Sequence, residues 1–230
     1  MIDRKKIYFK EDPTIEPKLF YIFCEGQRRE ANYFKFFADI IGTRISIKII
    51  DNDGKSSPIG LYDNAHKNLL QESEDLIQDN AYQNLVADIS SSSLKLADID
   101  EVWFVIDTDR WRTQIPKLRV EIMKYSNWFV AQSNHCFEVW LYYHFKDVKP
   151  TITIPNWKAF LPTIITGGFN STKHPKFIET AIKNAKANFY YGPSFPDVHE
   201  TQVYELAEKI LPFVKDDIDR LLTKNKHLKL

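Results

Sequence analysis

The stretch KLFYIFCEGQRRE, residues 18–30, decides the fold class of this chain. Its apolar run, residues 18–24, has the pattern of a strand buried on both faces, as in a parallel sheet. The run ends on Glu25, and Gly26 then permits a tight turn into a helix predicted over residues 30–41. A carboxylate at the end of a buried strand needs a physical reason.

Strand and helix patterns alternate along the first two thirds of the chain. The further predicted strands are ISIKII (45–50), EVWFVID (101–107) and WFVAQS (128–133). The further predicted helices run over residues 59–85 with breaks, over 115–125, and from Ser133 or Asn134 to Phe145. This rhythm predicts an α/β fold in which a parallel sheet is flanked by helices.

The residues after this alternating region have a different character. KDVKPTITIPNW is extended and punctuated by proline, and helices are predicted over residues 177–190 and 201–222. We therefore expect three parts: an N-terminal lead-in (1–17), an α/β core (18–145) and a helical C-terminal extension packed on the core (146–230).

Composition limits the function classes. The chain has 230 residues, 43% of them hydrophobic, and its 31 basic residues balance its 31 acidic ones, so net charge neither favours nor excludes a nucleic-acid partner. Its two cysteines form no CxxC pair, which excludes a zinc ribbon and is typical of reduced cytosolic thiols. There is no signal peptide pattern and no apolar run long enough to span a membrane, so we expect a soluble cytoplasmic protein without membrane association.

Carboxylates follow two of the predicted strands. Glu25 comes directly after the first, and Asp107 ends the strand EVWFVID with Asp109 just beyond it. In open parallel sheets ligands bind outside the carboxyl ends of the strands, and residues two apart on an extended chain point to one side. Clustered carboxylates favour Mg²⁺ (or Mn²⁺) as a cofactor. Taken singly, each motif also fits ordinary helix-start and turn chemistry.

A third polar segment, SNHCFEVWLYYHF (133–145), contains two additional candidates. Glu138 would lie near the start of a helix, and His144 would lie on its apolar face, where packing is the ordinary explanation. Basic side chains near the acidic motifs are candidates for binding a substrate phosphate: Arg28, Arg29, Arg110 and Lys55.

These segments together resemble the RloB-like family, a branch of the Toprim superfamily. The matching stretches are CEGQRREANYF (24–34), GKSSP (54–58), DEVWFVIDTDR (100–110) and SNHCFEVWLYYHF (133–145). Family members show CEG-x-x-T/S-E-x-x-YF, a strand ending in DxD, and SNPCFE-x-W-L-x-x-HF. The chain departs from this pattern at Arg29, where the family usually has Thr or Ser, and at His135, where it usually has Pro.

The resemblance implies a Toprim fold in which Asp107 and Asp109 bind the metal. Glu25 would be the general acid/base or would help to hold a second metal, so it counts among the candidate metal ligands. It implies a metal-dependent nuclease that hydrolyses phosphodiesters in RNA, tRNA among the candidates, or in DNA. Relatives resemble abortive-infection effectors of phage defence and often pair with a separate ATPase, which fits the lack of a GxxxxGK[ST] loop here. A homo-oligomeric assembly is also compatible with the resemblance.

Two other functions use the same acidic residues. A non-catalytic subunit could bind and regulate an ATPase-containing defence complex, which the balanced charge favours. A metal-dependent phosphatase could act on a nucleotide, and release of inorganic phosphate from mononucleotides would distinguish it.

Overall fold

The computed structural model describes residues 18–41, 45–50, 54–71, 96–108, 110–190 and 195–226. Within them lies a five-stranded sheet with the strand order β2-β1-β3-β4-β5. Its strands are β1 (Lys18–Cys24), β2 (Ile45–Ile50), β3 (Glu101–Asp107), β4 (Trp128–Asn134) and β5 (Glu200–Thr201). The first four strands run parallel and β5 is antiparallel to β4, which confirms the predicted α/β class.

Helices cover both faces of the sheet. They are α1 (Arg29–Ile40), α2 (Pro58–His66), α3 (Ile115–Ile122), α4 (Glu138–Tyr143), α5 (Trp157–Ile164), α6 (Ile178–Ala187) and α7 (Val203–Lys226). A π-helical turn, Lys67–Gln71, continues α2, and a 3-10 turn, Pro175–Phe177, precedes α6. Pro58 opens α2, where its missing N–H costs nothing, and the Ser57 hydroxyl caps the helix by accepting from the Gly60 N–H.

The apolar residues of β1 alternate between two hydrophobic layers. Phe20, Ile22 and Cys24 belong to the layer formed with α1, α4, α6 and α7. Tyr21 and Phe23 belong to the opposite layer, which contains apolar residues of α2 and α3. Because both faces are covered, the central strands are continuous apolar runs, and their carboxyl ends are where polar side chains reach solvent.

A helix is present in the segment predicted to run to Phe145, but its predicted start at Ser133 or Asn134 is wrong. Both residues extend β4, because they pair with β5, and α4 begins only at Glu138. The Ser133 hydroxyl lies 2.8 Å from that of Thr201, and the Asn134 amide donates to the Pro196 carbonyl over 2.9 Å. These long-range partners outweigh the local preference of Ser and Asn for a helix start.

The C-terminal region is mainly helical, as predicted, but it also contributes β5 to the sheet and contains α5, neither of which was predicted. The division at residues 145 and 146 stays a prediction, and residues 1–17 lie outside the described part of the chain. Of the helix predicted over 59–85, residues 72–85 lie outside the described part of the chain as well. No helix within the described ranges is long and apolar enough to cross a membrane.

Candidate active site

Glu25 and Asp107 meet at the point where the strand order reverses. From β1 the chain crosses to β2 on one side, and from β3 it crosses to β4 on the other. The crevice between the carboxyl ends of β1 and β3 is the position where open α/β sheets bind ligands. The register places Cys24 beside Val105, so the residues that follow the two strands come together at one edge of the sheet.

The Glu25 carboxylate is oriented by two hydrogen bonds. Its Oε2 accepts from the backbone N–H of Asp107 over 3.0 Å, and its Oε1 accepts from the Trp111 indole N–H over 2.8 Å. The backbone N–H of Glu25 donates to the Val105 carbonyl over 3.0 Å, which extends the ladder one residue past β1. Glu25 is therefore held across the tip of β3 while staying half-exposed.

A cleft of about 660 Å³ opens at this edge of the sheet. A volume in this range is ordinary for a small-molecule or nucleotide site. The residues lining it are Glu25, Gly26, Gln27, Arg28, Arg29, Glu30, Gly54, Ser56, Asp107, Glu138 and Lys158. The acidic side chains among them come from the ends of β1 and β3 and from the first residues of α1 and α4.

Gly26 makes room for a carboxyl group that the sequence analysis did not single out. A Cβ atom at Gly26 would lie 2.6 Å from the Cδ of Glu30, too close for any real contact. Glu30 is only 8% exposed, and burial raises the pKa of its carboxyl, with a further rise from the charge of Glu138. Arg29 and Lys158 oppose this rise in pKa. The glycine of the E-G pair is thus explained by close packing within the cleft.

Arg29 forms an ion pair with Glu138. Its Nη1 donates to Oε1 of the Glu138 carboxylate, which is 3% exposed, whereas the arginine side chain is 46% exposed. Glu138 lies at the start of α4, in the first turn as predicted. Arg29 therefore lines the cleft with part of its charge already balanced.

The other predicted phosphate ligands divide into two groups. Arg28 is exposed and lines the cleft. Lys55 and Arg110 are exposed but are not part of its lining, although Gly54 beside Lys55 is. Lys158, on α5, was missed because it lies more than 130 residues from Glu25 in sequence and carries no local motif.

His144 belongs to an aromatic cluster and not to the lining of the cleft. Its Nδ1 lies 3.1 Å from the Trp140 carbonyl, which can only accept, so Nδ1 carries the proton and Nε2 accepts from the Tyr33 hydroxyl at 3.2 Å. The Phe169 ring packs edge-on against the imidazole. Burial lowers the pKa of His144 to about 3, so the ring is neutral at physiological pH.

Both cysteines lie close to the acidic residues. Burial raises the pKa of Cys24 well above its usual value, and the charges of Glu30 and Asp107 add to this. Burial also raises the pKa of Cys136, with Glu138 contributing. Both thiols are therefore protonated and weakly nucleophilic, which disfavours covalent catalysis by cysteine.

Two of the predicted metal ligands, Glu25 and Asp107, are placed together, and Asp109 lies outside the described residues. Among the residues that the structure describes, no group of three or more His, Cys, Asp or Glu is arranged to hold a metal ion. The oxygen donors that are present are of the hard type that Mg²⁺ and Mn²⁺ prefer.

A model of the family described as RloB-like protein matches residues 20–210. The chain belongs to the RloB-like family. The matched region of this RloB-like protein includes β2 to β5, all of β1 except its first two residues, and every described residue that lines the cleft. No curated protein and no solved structure matches the RloB-like chain.

Proposed function

We propose that this RloB-like protein is a metal-dependent nuclease with a Toprim-type catalytic centre. The observation that carries the proposal is the hydrogen bond from the Asp107 N–H to the Glu25 carboxylate, which fixes two acidic residues side by side at the switch point of a parallel sheet. Acids placed in this way suit phosphodiester hydrolysis, where catalysis depends on charge stabilisation and proton transfer.

Glu25, Asp107 and Asp109 are the residues that would hold Mg²⁺ or Mn²⁺. When bound, such an ion stabilises negative charge on the phosphoryl group and makes water more acidic. Glu25 is suited to accept or donate a proton because it is half-exposed at the cleft and its orientation is set by Asp107 and Trp111. Glu138 is a further candidate ligand, held by Arg29.

Basic residues at the cleft support a polyanionic substrate. Arg28, which directly precedes α1, and Lys158, on α5, are both exposed and both line the cleft. They are placed to contact phosphates that flank the one being cleaved. RNA, with tRNA among the candidates, or DNA would satisfy this chemistry equally.

By resemblance to its family, the protein would act as an effector of phage defence in the cytoplasm, kept inactive until a separate ATPase partner or an infection triggers it. Because the isolated protein need not be active, the experiment must include the possible triggers, namely the partner genes and phage infection.

The test is induction of the protein in cells, alone and with the neighbouring genes of its operon, with and without phage. Total RNA and DNA are compared for wild type, Glu25→Gln and Asp107→Asn. Glu208→Gln is the matched control, since Glu208 is an exposed acid paired with Lys186 outside the cleft.

We expect fragmentation of one class of nucleic acid by wild type and by the control, and at least about a hundredfold less by the two active-site variants, as for loss of a general acid/base. Fragmentation that persists in both variants would sink the nuclease proposal. Intact nucleic acid under every condition would favour the regulatory subunit instead.

A further inference from the structure

Thr108, the middle residue of the D-T-D motif, is buried in a hydrogen-bond network behind the cleft. Its Oγ1 donates to the Ser133 carbonyl over 2.8 Å and accepts from the side-chain amide of Gln132 over 2.8 Å. Its backbone N–H lies 2.9 Å from the Ser133 carbonyl and 3.0 Å from that of His135. The tip of β3 is thus tied to the end of β4.

The network continues from Thr108 to the C-terminal region. Gln132 is fully buried, and its side-chain oxygen accepts from Nη2 of Arg119 on α3 over 3.0 Å. The same Nη2 donates to the side chain of Gln202 over 2.6 Å. Gln202 directly precedes α7, and its backbone N–H donates to the Gln132 carbonyl over 2.7 Å. A continuous chain of hydrogen bonds therefore links the start of α7 to the D-T-D motif.

Two successive peptide groups at the tip of β3 are fixed in opposite directions. The N–H of Asp107 donates to the Glu25 carboxylate, towards β1, whereas that of Thr108 donates towards β4. Side chains alternate along an extended strand, so anchoring the buried Thr108 side chain constrains the direction of the Asp107 carboxylate on the other side. Groups that orient a ligand in this way commonly set metal affinity.

We propose that Thr108, Gln132 and Arg119 form a positioning relay that orients Asp107 for cation binding and couples the cleft to the start of α7. The proposal rests on the proposed function, because it assumes that Asp107 binds a metal. Thr108 acts through Asp107 and does not itself touch the metal or the substrate. Movement of α7, for example on binding of a partner, would change the cation affinity of the cleft through this relay.

The experiment measures Mn²⁺ binding to the full chain by calorimetric titration, with the midpoint of thermal unfolding recorded for each variant. Thr108→Val removes the hydroxyl at nearly constant shape, and Thr108→Ser retains it. Thr223→Val is the matched control, because the Thr223 hydroxyl also donates to a backbone carbonyl, that of Asp219, but on exposed α7 surface. Gln202→Met breaks the relay at its far end.

We expect Thr108→Val to weaken Mn²⁺ binding by about tenfold or more, the usual effect of losing a group that orients a metal ligand. The Mn²⁺ affinities of Thr108→Ser and Thr223→Val should stay within about threefold of the wild-type affinity. The affinity of Gln202→Met should lie between these values and that of Thr108→Val, because Gln202 is remote from Asp107. Because Gln202 lies near the surface, this variant tests the relay even if Thr108→Val does not fold.

Equal Mn²⁺ affinity in wild type, Thr108→Val and Gln202→Met, with only the unfolding midpoint lowered, would overturn the relay and leave the proposed nuclease centre standing. Absence of Mn²⁺ binding by wild type would overturn the metal centre and the relay together. The two failures are therefore distinguishable.

Discussion

The indole N–H of Trp111 donates a hydrogen bond to Oε1 of Glu25 over 2.8 Å. Trp111 lies in the turn after β3, whereas Glu25 follows β1, so the bond connects the segments that follow the two central strands. Together with the Asp107 N–H, it gives each oxygen of the Glu25 carboxylate a donor from the β3 side. The orientation of the proposed acid/base is therefore set by the segment that contains its proposed metal ligands.

Trp111→Phe should lower the rate of nucleic-acid cleavage by about tenfold to a hundredfold, because a hydrogen bond to a charged group contributes about 1.5–3 kcal/mol. The phenyl ring preserves most of the packing but has no N–H. Trp128→Phe is the control, since the buried indole N–H of Trp128 has no hydrogen-bond partner within the described part of the chain. Equal cleavage rates for wild type and Trp111→Phe would contradict a role for this bond.

Gly26→Ala should lower the free energy of unfolding by about 1–3 kcal/mol, as overpacking does. The added methyl group would collide with the Glu30 carboxyl. In a Glu30→Ala background the colliding atoms are gone, so the same substitution should cost much less. Urea unfolding of the four proteins of this double-mutant cycle measures the difference. An equal cost in both backgrounds would show that Gly26 is required for another reason.

The strands on either side of the crevice could be predicted from sequence because each is an apolar run that ends on a carboxylate. Their common edge followed from the rule for parallel sheets, which is why Glu25 and Asp107 were expected together. Glu30 was missed because an acid in a first helical turn is ordinary. Its position against Gly26 and in the lining of the cleft follows only from the tertiary structure. Lys158 could not be predicted, since only tertiary packing brings α5 to the cleft.

The predicted helix start at Ser133 or Asn134 was wrong for a different reason. Ser133 and Asn134 are favoured at helix starts, and residues 137–144 have helical spacing, so local pattern placed the helix too early. The partners that extend β4 instead, Glu200 and Thr201, are more than 60 residues away and form only a two-residue strand. Such a short strand has no periodicity for a sequence pattern to reveal.

His144 should make the protein acid-sensitive. Its pKa is lowered by burial to about 3, whereas in the unfolded chain it is about 6.5. Between these values the unfolded chain binds a proton that the folded chain does not, so the free energy of unfolding falls as pH decreases, by up to about 1.4 kcal/mol per pH unit from this residue. Above about pH 6.5 the imidazole is neutral in both the folded and the unfolded chain, so this loss of stability is absent.

His144→Phe should therefore unfold with a shallower dependence on pH than wild type between pH 7 and pH 4, in roughly the window that the two pKa values define. Guanidinium denaturation at four pH values measures the slopes. His66→Phe, which alters a half-exposed histidine at the end of α2, is the matched control. Parallel pH curves for wild type and His144→Phe would show that His144 titrates alike in both states.

Lys158→Gln should weaken binding of an RNA or DNA oligonucleotide in the absence of divalent metal. Its ammonium lines the cleft and, among the ion pairs of the described residues, takes part in none. Loss of one phosphate contact should reduce the slope of log affinity against log salt by about one. Fluorescence anisotropy at several salt concentrations measures it.

Lys183→Gln on α6 is the control for that experiment, since Lys183 is equally exposed but does not line the cleft. If both variants lowered the slope alike, binding would be spread over the surface and not focused on the cleft. An unchanged slope in Lys158→Gln would remove this lysine from the substrate path.

The short strand Glu200–Thr201 also has a consequence for solubility. A β-sheet edge with many unpaired backbone groups can recruit a strand from another molecule, and very short edge strands are one way in which proteins prevent this. Two residues offer few such groups, and α7 begins directly afterwards at Val203. If residues 195–226 were removed, the seven-residue strand Trp128–Asn134 would become the edge along its whole length, and the truncated chain should aggregate edge to edge.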